Sequence, residues 1–244
     1  MVKHQKIALI TGAARRIGAD IARTLHDVGY GVVLHYHQSE EDATNLTKML
    51  NKLRPDSAWM IKADFQSMHD INSLIKQTLD VSNRLDVLVN NASDFYPTPI
   101  STTTEQQWDE LMNCNLKAPF FLSQAAKPAL GKTLGCIVNI VDIYAKSSLI
   151  DFPVYSISKS GLLGLTQSLA KEMAPVIRVN GVSPGVILWP ENEVNNRHED
   201  IIKRIPLQKK GSPSDIANAV LFLVRDAQYI TGEVITVDGG KSLV

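Results

Sequence analysis

Apolar runs of strand length alternate with segments of helical period along the whole of this 244-residue chain. Residues 6–10, 31–35, 57–63, 85–90, 135–141, 177–182 and 233–237 have the length and the Val, Ile and Leu content of strands. Their apolar residues run on without alternation, the pattern of strands covered on both faces in a parallel sheet. Between them, residues 17–28, 40–53 and 70–81 space their apolar positions by three and four, as helices packed on a core do. Such alternation predicts a doubly wound α/β sheet with helices on both faces. No repeat, low-complexity tract or Pro/Gly/Ser linker divides the chain, so residues 1–244 are expected to form a single domain. One stretch breaks the rhythm. Residues 186–212 are polar, carry Pro190 and Pro206, and lie between a strand and a helix. Irregular excursions of that length inside a domain are usually functional or disordered, and this one is expected to serve as a substrate loop or lid.

Composition narrows the partners. With 44% hydrophobic and 20% charged residues, the chain is neither disordered nor fibrous. The 25 Lys+Arg balance the 25 Asp+Glu and form no basic stripe, so nucleic acid is not an expected partner. No apolar run approaches the ~18–20 residues of a membrane span. Met1-Val2-Lys3-His4-Gln5-Lys6 leads directly into a strand without a signal segment, which sets a cytoplasmic expectation. Cys114 and Cys136 are too few for a disulfide framework and read as small buried hydrophobes in a reducing compartment. His198, Glu199 and Asp200 read as a solvated face, and no cluster with metal-ligand spacing occurs, so no metal is expected.

The first strand is followed by Thr11-Gly12-Ala13-Ala14-Arg15-Arg16-Ile17-Gly18. Gly and Ala permit a tight turn, and the helix that opens next offers free N–H groups and a positive dipole end to a pyrophosphate. Arg15 and Arg16 oppose that dipole, and an anion between them accounts for two cations so placed. The second strand ends Leu34-His35-Tyr36-His37-Gln38-Ser39. An NAD site usually carries an acidic residue there for the ribose 2′-hydroxyl. Its replacement by His, Gln and Ser, with Arg15 near, predicts room for a 2′-phosphate and hence NADPH; the other reading makes His35 and His37 exposed strand residues. Asp64, after the third strand, either bonds an adenine amine or caps the next turn. Asn90-Asn91-Ala92 supplies small and amide-bearing residues where backbone must come close to a cofactor.

Tyr155 and Lys159 lie four apart in residues 153–175, a segment of helical period, and so share one helix face. A lysine ammonium beside a phenol favours the phenolate and makes it a better proton carrier near neutrality.

Taken together, the Thr11-to-Gly18 run, Asn90-Asn91-Ala92, Asn115, Tyr155-Ser156-Ile157-Ser158-Lys159 and Pro184-Gly185 resemble, in order, the short-chain dehydrogenase/reductase family. The resemblance covers essentially the whole chain and implies one Rossmann-like domain, usually part of a homotetramer. It further implies Tyr155 as acid/base, Lys159 lowering its pKa and holding the nicotinamide ribose, and Asn115 supporting a proton-relay water. Cofactor contacts implied by it run through Gly12, Arg15, Ile17, the 35–39 stretch, Asp64, Asn91, Ala92, Lys159, Pro184 and Gly185. The family's usual serine falls thirteen residues before Tyr155, where this chain has Asp142. An ionised carboxylate repels the oxyanion of ketone reduction. Asp142 therefore stays protonated, or serves a substrate with N–H groups and a ring nitrogen, as a pterin has, or is a loop cap in an inactive site. Asn91-Ala92-Ser93-Asp94-Phe95-Tyr96-Pro97-Thr98-Pro99 and the two stretches quoted above resemble the pteridine reductase branch, although that branch often has Arg where Gln38 stands. By that resemblance Phe95 stacks a flat ring, Ser93 hydrogen-bonds it, and Arg16 reaches it across the phosphates, with Asp142, Tyr155 and Leu188 completing the substrate site. Trp189 either joins Leu188 over the substrate or makes a subunit contact. The expected activity is hydride transfer from NADPH to a dihydropterin, or to dihydrofolate. A 3-oxoacyl-carrier-protein reductase and a non-catalytic nucleotide sensor are the alternatives.

Overall fold

The computed structural model describes residues 5–189 and 198–244. Its first half comprises β1 (Ile7–Ile10), α1 (Arg16–Asp27), β2 (Gly31–Tyr36), α2 (Glu40–Leu53), β3 (Ala58–Lys62), α3 (Met68–Ser82) and β4 (Val87–Asn90). Next come α4 (Glu105–Met112), a widened π turn (Asn113–Lys117), α5 (Ala118–Thr133), β5 (Cys136–Ile140), the short α6 (Tyr144–Ser147) and α7 (Pro153–Met173). The chain closes with β6 (Arg178–Pro184), α8 (His198–Lys203), α9 (Pro213–Arg225) and β7 (Val234–Val237). Among the described residues these strands form one seven-stranded sheet, parallel throughout, in the order β3-β2-β1-β4-β5-β6-β7.

Every residue of β1, β2, β4 and β5 is buried, which is why these strands read as unbroken apolar runs. The pleat divides them between two cores. Ala8 and Ile10 face a cluster with Ile21 and Leu25 of α1, Leu46 and Leu50 of α2, and Ile216 and Val220 of α9. Ile7 and Leu9 face the opposite cluster, with Leu74 of α3, Leu122 of α5 and Leu169 and Met173 of α7. This is the single doubly wound, Rossmann-like domain that the alternation predicts.

The differences are local. β6 runs on to Pro184, two residues beyond the expected 177–182; a proline is accommodated because it closes the strand and has no further ladder bond to donate. The expected irregular stretch, 186–212, contains α8; its residues 190–197, with Pro190, lie outside the described residues, as do Met1 to His4. No helix among the described residues is long and apolar enough to cross a membrane.

The sheet order sets the site. From β1 the chain winds outward to β2 and β3, then returns to place β4 on the other side of β1. The carboxyl ends of β1 and β4 therefore flank the crevice where ligands of such sheets bind. The far end of this strand pair is pinned by Asp86. Its buried carboxylate accepts Ile7 N–H at 2.8 Å and holds Arg84 at 2.6 and 2.7 Å. Asp86→Ala orphans both, and we expect it to lower unfolding stability by about 2–4 kcal/mol, read as a fall in urea midpoint at constant m-value. An unchanged midpoint refutes that role.

Candidate active site

The residues singled out in sequence gather along the carboxyl edge of the sheet. After β1, Gly12 turns with φ +61, and a Cβ there would meet Ala92 Cα at 3.0 Å. The turn is wired to β4 from both directions. Thr11 Oγ1 accepts the N–H groups of Asn91 and Ala92, both at 2.9 Å, while Asn91 Nδ2 donates to the carbonyls of Thr11 at 2.8 Å and Gly12 at 3.1 Å. At Gly18, a Cβ would fall 2.2 Å from Gly12 O and 2.6 Å from Asn91 Nδ2, so the helix start admits no side chain. The first turn of α1 carries no acidic residue, and its N-cap side chain makes no capping bond. Arg15 and Arg16 stand exposed at this positive end, beside half-buried Ile17. Closely approaching backbone, a helix N-terminus and two cations are a donor set that suits a pyrophosphate.

α7 starts with Pro153 at its first position, where a missing N–H costs nothing. Its buried stripe, Tyr155, Lys159, Leu162, Thr166, Leu169 and Met173, has helical spacing and brings Tyr155 and Lys159 against β5. Tyr155 Oη donates to Asp142 Oδ2 at 2.8 Å, and Asp142 Oδ1 accepts Tyr144 N–H at 2.8 Å. Lys159, 2% exposed, donates to the Ile140 carbonyl at 2.9 Å, with Nζ 5.7 Å from the Tyr155 ring centre. Burial holds the Asp142 carboxyl above the usual carboxylate range, against the Tyr144 N–H, the Tyr155 hydroxyl and the Lys159 charge. Burial and the adjacent Asp142 drive the Tyr155 phenol well up, and burial draws Lys159 down. This reverses one expectation. Lys159 was to lower the phenol's pKa, but its ammonium is spent on a carbonyl and the nearer charge on the phenol is the carboxylate.

Phe95 lies edge-on to Tyr155, ring centres 4.8 Å apart at 80°, and is itself stacked on Phe152 at 4.6 Å. Its 46% exposure leaves apolar surface open beside the phenol.

With this geometry in place, comparison with known proteins is decisive at the level of family. A family model described as Enoyl-(Acyl carrier protein) reductase matches residues 12–242. The chain belongs to the short-chain dehydrogenase/reductase family. It is thus an oxidoreductase of a family that uses nicotinamide cofactors. Pteridine reductase 1 of Leishmania tarentolae is 38% identical over 97% of this chain and 96% of its own. A 3-oxoacyl-(acyl-carrier-protein) reductase of Staphylococcus aureus is 36% identical over 98% of this chain and 99% of its own. A protein described as the same reductase from Synechocystis is 35% identical over 96% of each.

Within the family frame, several expected residues sit differently from their reading in sequence. His35 is buried, with its ring nitrogens facing Gly12 N at 3.0 Å and the Ala63 carbonyl at 3.1 Å, so its side chain neither meets a cofactor nor lies exposed. Tyr36 is buried with Ala14 and Ala43 beneath the turn. His37 and Gln38 are exposed and Ser39 half-buried at the strand end, with His37 3.7 Å from Asp64. Asp64 caps its own turn by accepting Gln66 N–H at 2.9 Å, one of its two sequence readings. The Asn115 side chain is engaged by the neighbouring loop and α7. It accepts Asp94 N–H at 2.9 Å and donates to Asp94 O at 3.0 Å and Ser158 Oγ at 3.1 Å, which fixes the loop carrying exposed Ser93 and Phe95. Pro184 ends β6, and Gly185 packs so closely on Asp238 that a Cβ would come 2.5 Å from its Cβ. Leu188 packs partly against the α1/α9 core, and Trp189 stacks on His198 at 3.8 Å while its carbonyl accepts from Arg16 at 3.4 Å. Phe152 escaped the sequence reading, although its place one helical turn before Tyr155 marks the same face.

Gly18→Ala is expected to displace Gly12 O and Asn91 Nδ2. Stability should fall by about 1–3 kcal/mol, with nicotinamide-nucleotide affinity down at least about tenfold in a fluorescence titration. Wild-type values for both would dissolve the brace.

Proposed function

We propose that this short-chain reductase is an NADPH-dependent pteridine reductase. The observation that carries the reading is the carboxyl of Asp142 hydrogen-bonded to Tyr155 where the family has a serine, with the exposed ring of Phe95 beside them. A bound reduced nicotinamide supplies the hydride. Gly12, Arg15, Ile17, Asn91, Ala92 and the Pro184-Gly185 strand end would hold that cofactor, with His37, Gln38 and Ser39 at its 2′-phosphate and Asp64 at its adenine. Lys159 would hold the ribose.

The phenol and carboxyl act as one proton-holding unit, since each shifts the other's titration. Burial keeps the proton on this pair at pH values where an exposed carboxyl has lost it. The unit can therefore deliver a proton to a ring nitrogen, while Asp142 accepts from substrate N–H groups once ionised. Phe95 would stack the pterin, and offset stacking is worth about 0.5–1.5 kcal/mol beyond area burial. Ser93, Arg16 and Leu188 would complete the pocket. A cytoplasmic homotetramer is the assembly that goes with this reading.

The near-equal identity to the Staphylococcus aureus reductase keeps a 3-oxoacyl-carrier-protein reductase as the second reading. Against it stands Asp142 in place of the family's hydroxyl, since a carboxyl opposes a developing ketone oxyanion whenever it is ionised. The Tyr155–Asp142–Lys159 arrangement tells against a sensor without turnover. NADPH oxidation measured side by side with dihydrobiopterin, dihydrofolate and acetoacetyl-CoA separates the readings. Pterin reduction is expected to lead, and preference for the thioester overturns the proposal.

Tyr155→Phe is expected to abolish turnover while NADPH still binds, because the phenol acts on the proton and not on cofactor affinity. Asp142→Ser should cut pterin reduction at least about tenfold, the low end for a positioned acid/base group. The pH dependence follows from the raised Asp142 pKa. A carboxyl that must carry the proton works below its pKa, so kcat/KM should fall as pH rises through a value above the ordinary carboxylate range. That limb should vanish in Asp142→Ser. Its persistence assigns the titration elsewhere.

A further inference from the structure

His35 stands next to last in β2, 2% exposed, with its imidazole stacked on Phe65 at 4.4 Å and 11°. It grips the glycine turn twice. Gly12 N–H donates to its Nδ1 at 3.0 Å, and Ala13 N–H donates to its carbonyl at 2.9 Å. On the other side of the ring, Nε2 lies 3.1 Å from the Ala63 carbonyl at the end of β3. Gly12 offers only a donor and Ala63 only an acceptor. The single state that satisfies both is the neutral imidazole with its hydrogen on Nε2. We propose that His35 is a positioning residue for the nucleotide turn, holding Gly12 through a bond that exists only while Nδ1 is unprotonated, and so ties nucleotide affinity to its own protonation state. The inference rests on the dinucleotide reading of that turn.

The surroundings fit a clamp that is intact at neutral pH. The turn backbone, the Ala63 carbonyl and the Phe65 ring that pack on it are not ionisable. The ionisable neighbour that acts on it is His37, itself 3.7 Å from Asp64. Burial pushes the His35 imidazole down to about 4, partly offset by the Ala63 carbonyl, with His37 lowering it further. The stability such an imidazole adds is complete above its unfolded value and lost as pH falls through the folded one, while the bond to Gly12 itself persists until pH nears about 4. Protonation would set an Nδ1–H against the Gly12 N–H. Asn91 holds only the carbonyls of the same turn, so nothing from β4 substitutes for the lost bond to the Gly12 amide.

The test is equilibrium binding of the acid-stable oxidised cofactor, NADP+, by protein fluorescence from about pH 7.5 to about pH 3.5, in three proteins. Wild type is compared with His35→Phe, which keeps the ring stack but accepts nothing, and His35→Asn, whose Oδ1 takes the place of Nδ1 without titrating. His35→Phe is expected to weaken nucleotide binding about tenfold at neutral pH, on Kd and cofactor KM rather than on kcat. His35→Asn should keep most of the affinity and lose part of the acid decline seen in wild type. Protonation of the cofactor's own phosphate is common to all three and cancels in the ratios. Wild-type affinity in a folded His35→Phe overturns the proposal, as does an acid decline unaltered in His35→Asn. Should both variants fail to fold, side-chain nitrogen shifts of wild-type His35 decide, and a neutral-pH Nδ1–H overturns it. A wild type that binds no nicotinamide nucleotide refutes the cofactor reading itself. Tight wild-type binding that His35→Phe leaves unaltered refutes only the clamp.

Discussion

The structure turns on the cross-strand bracing of the Thr11-Gly12 turn by Asn91 and Ala92. A parallel sheet places the carboxyl ends of its strands on one edge, but it does not by itself hold a loop open to solvent in one shape. Here one hydroxyl accepts two backbone amides of the neighbouring strand end, and one side-chain amide answers by donating to two carbonyls of the turn. Almost every polar group of the turn that faces protein is thereby satisfied internally. The groups left facing the crevice belong to the start of α1. This preorganisation relieves a ligand of the entropy of ordering the loop.

A second constraint is electrostatic. Asp142, Tyr155 and Lys159 are brought together at the end of β5 by two elements, the loop after the strand and the stripe of α7. Burial pushes the carboxyl and phenol up and the amine down, each toward its neutral form, and the three restrain one another. Groups with displaced titrations and a direct hydrogen bond between them are what proton transfer requires. The π turn at Asn113–Lys117 contributes indirectly, since its Asn115 ties down the loop that presents Phe95. Widened turns of this type are frequent at functional sites. Family membership explains why the phenol and amine are present. The carboxyl of Asp142 and the exposed ring of Phe95 beside it are the features on which the pteridine reading is proposed.

The fold was legible because it follows from burial. Strands covered on both faces had to be apolar throughout, and helices on a core had to show a stripe, so both periodicities survive in the residue order. The glycine turn, the Tyr155–Lys159 spacing and Asp142 were legible for a related reason: each is a relation between residues close in sequence, or a residue at a known offset from one. The contacts of His35, Asn115 and Phe152 were not legible because their partners come from other segments. The neighbours of His35 are Gly12 and Ala63, and no local pattern records that a polar strand residue will spend both nitrogens inside the protein.

What the amino-acid order determined on its own is the doubly wound architecture and which residues gather at the carboxyl edge of its sheet, Tyr155, Lys159 and Asp142 among them. The direction in which the phenol's pKa moves was decided only by tertiary structure. Adjacency on a helix places Lys159 near Tyr155, but the field at the phenol depends on which charge is nearer and how much water has been excluded. Those distances exist only once β5 and α7 have packed, with the carboxylate on the hydroxyl and the ammonium on a strand carbonyl.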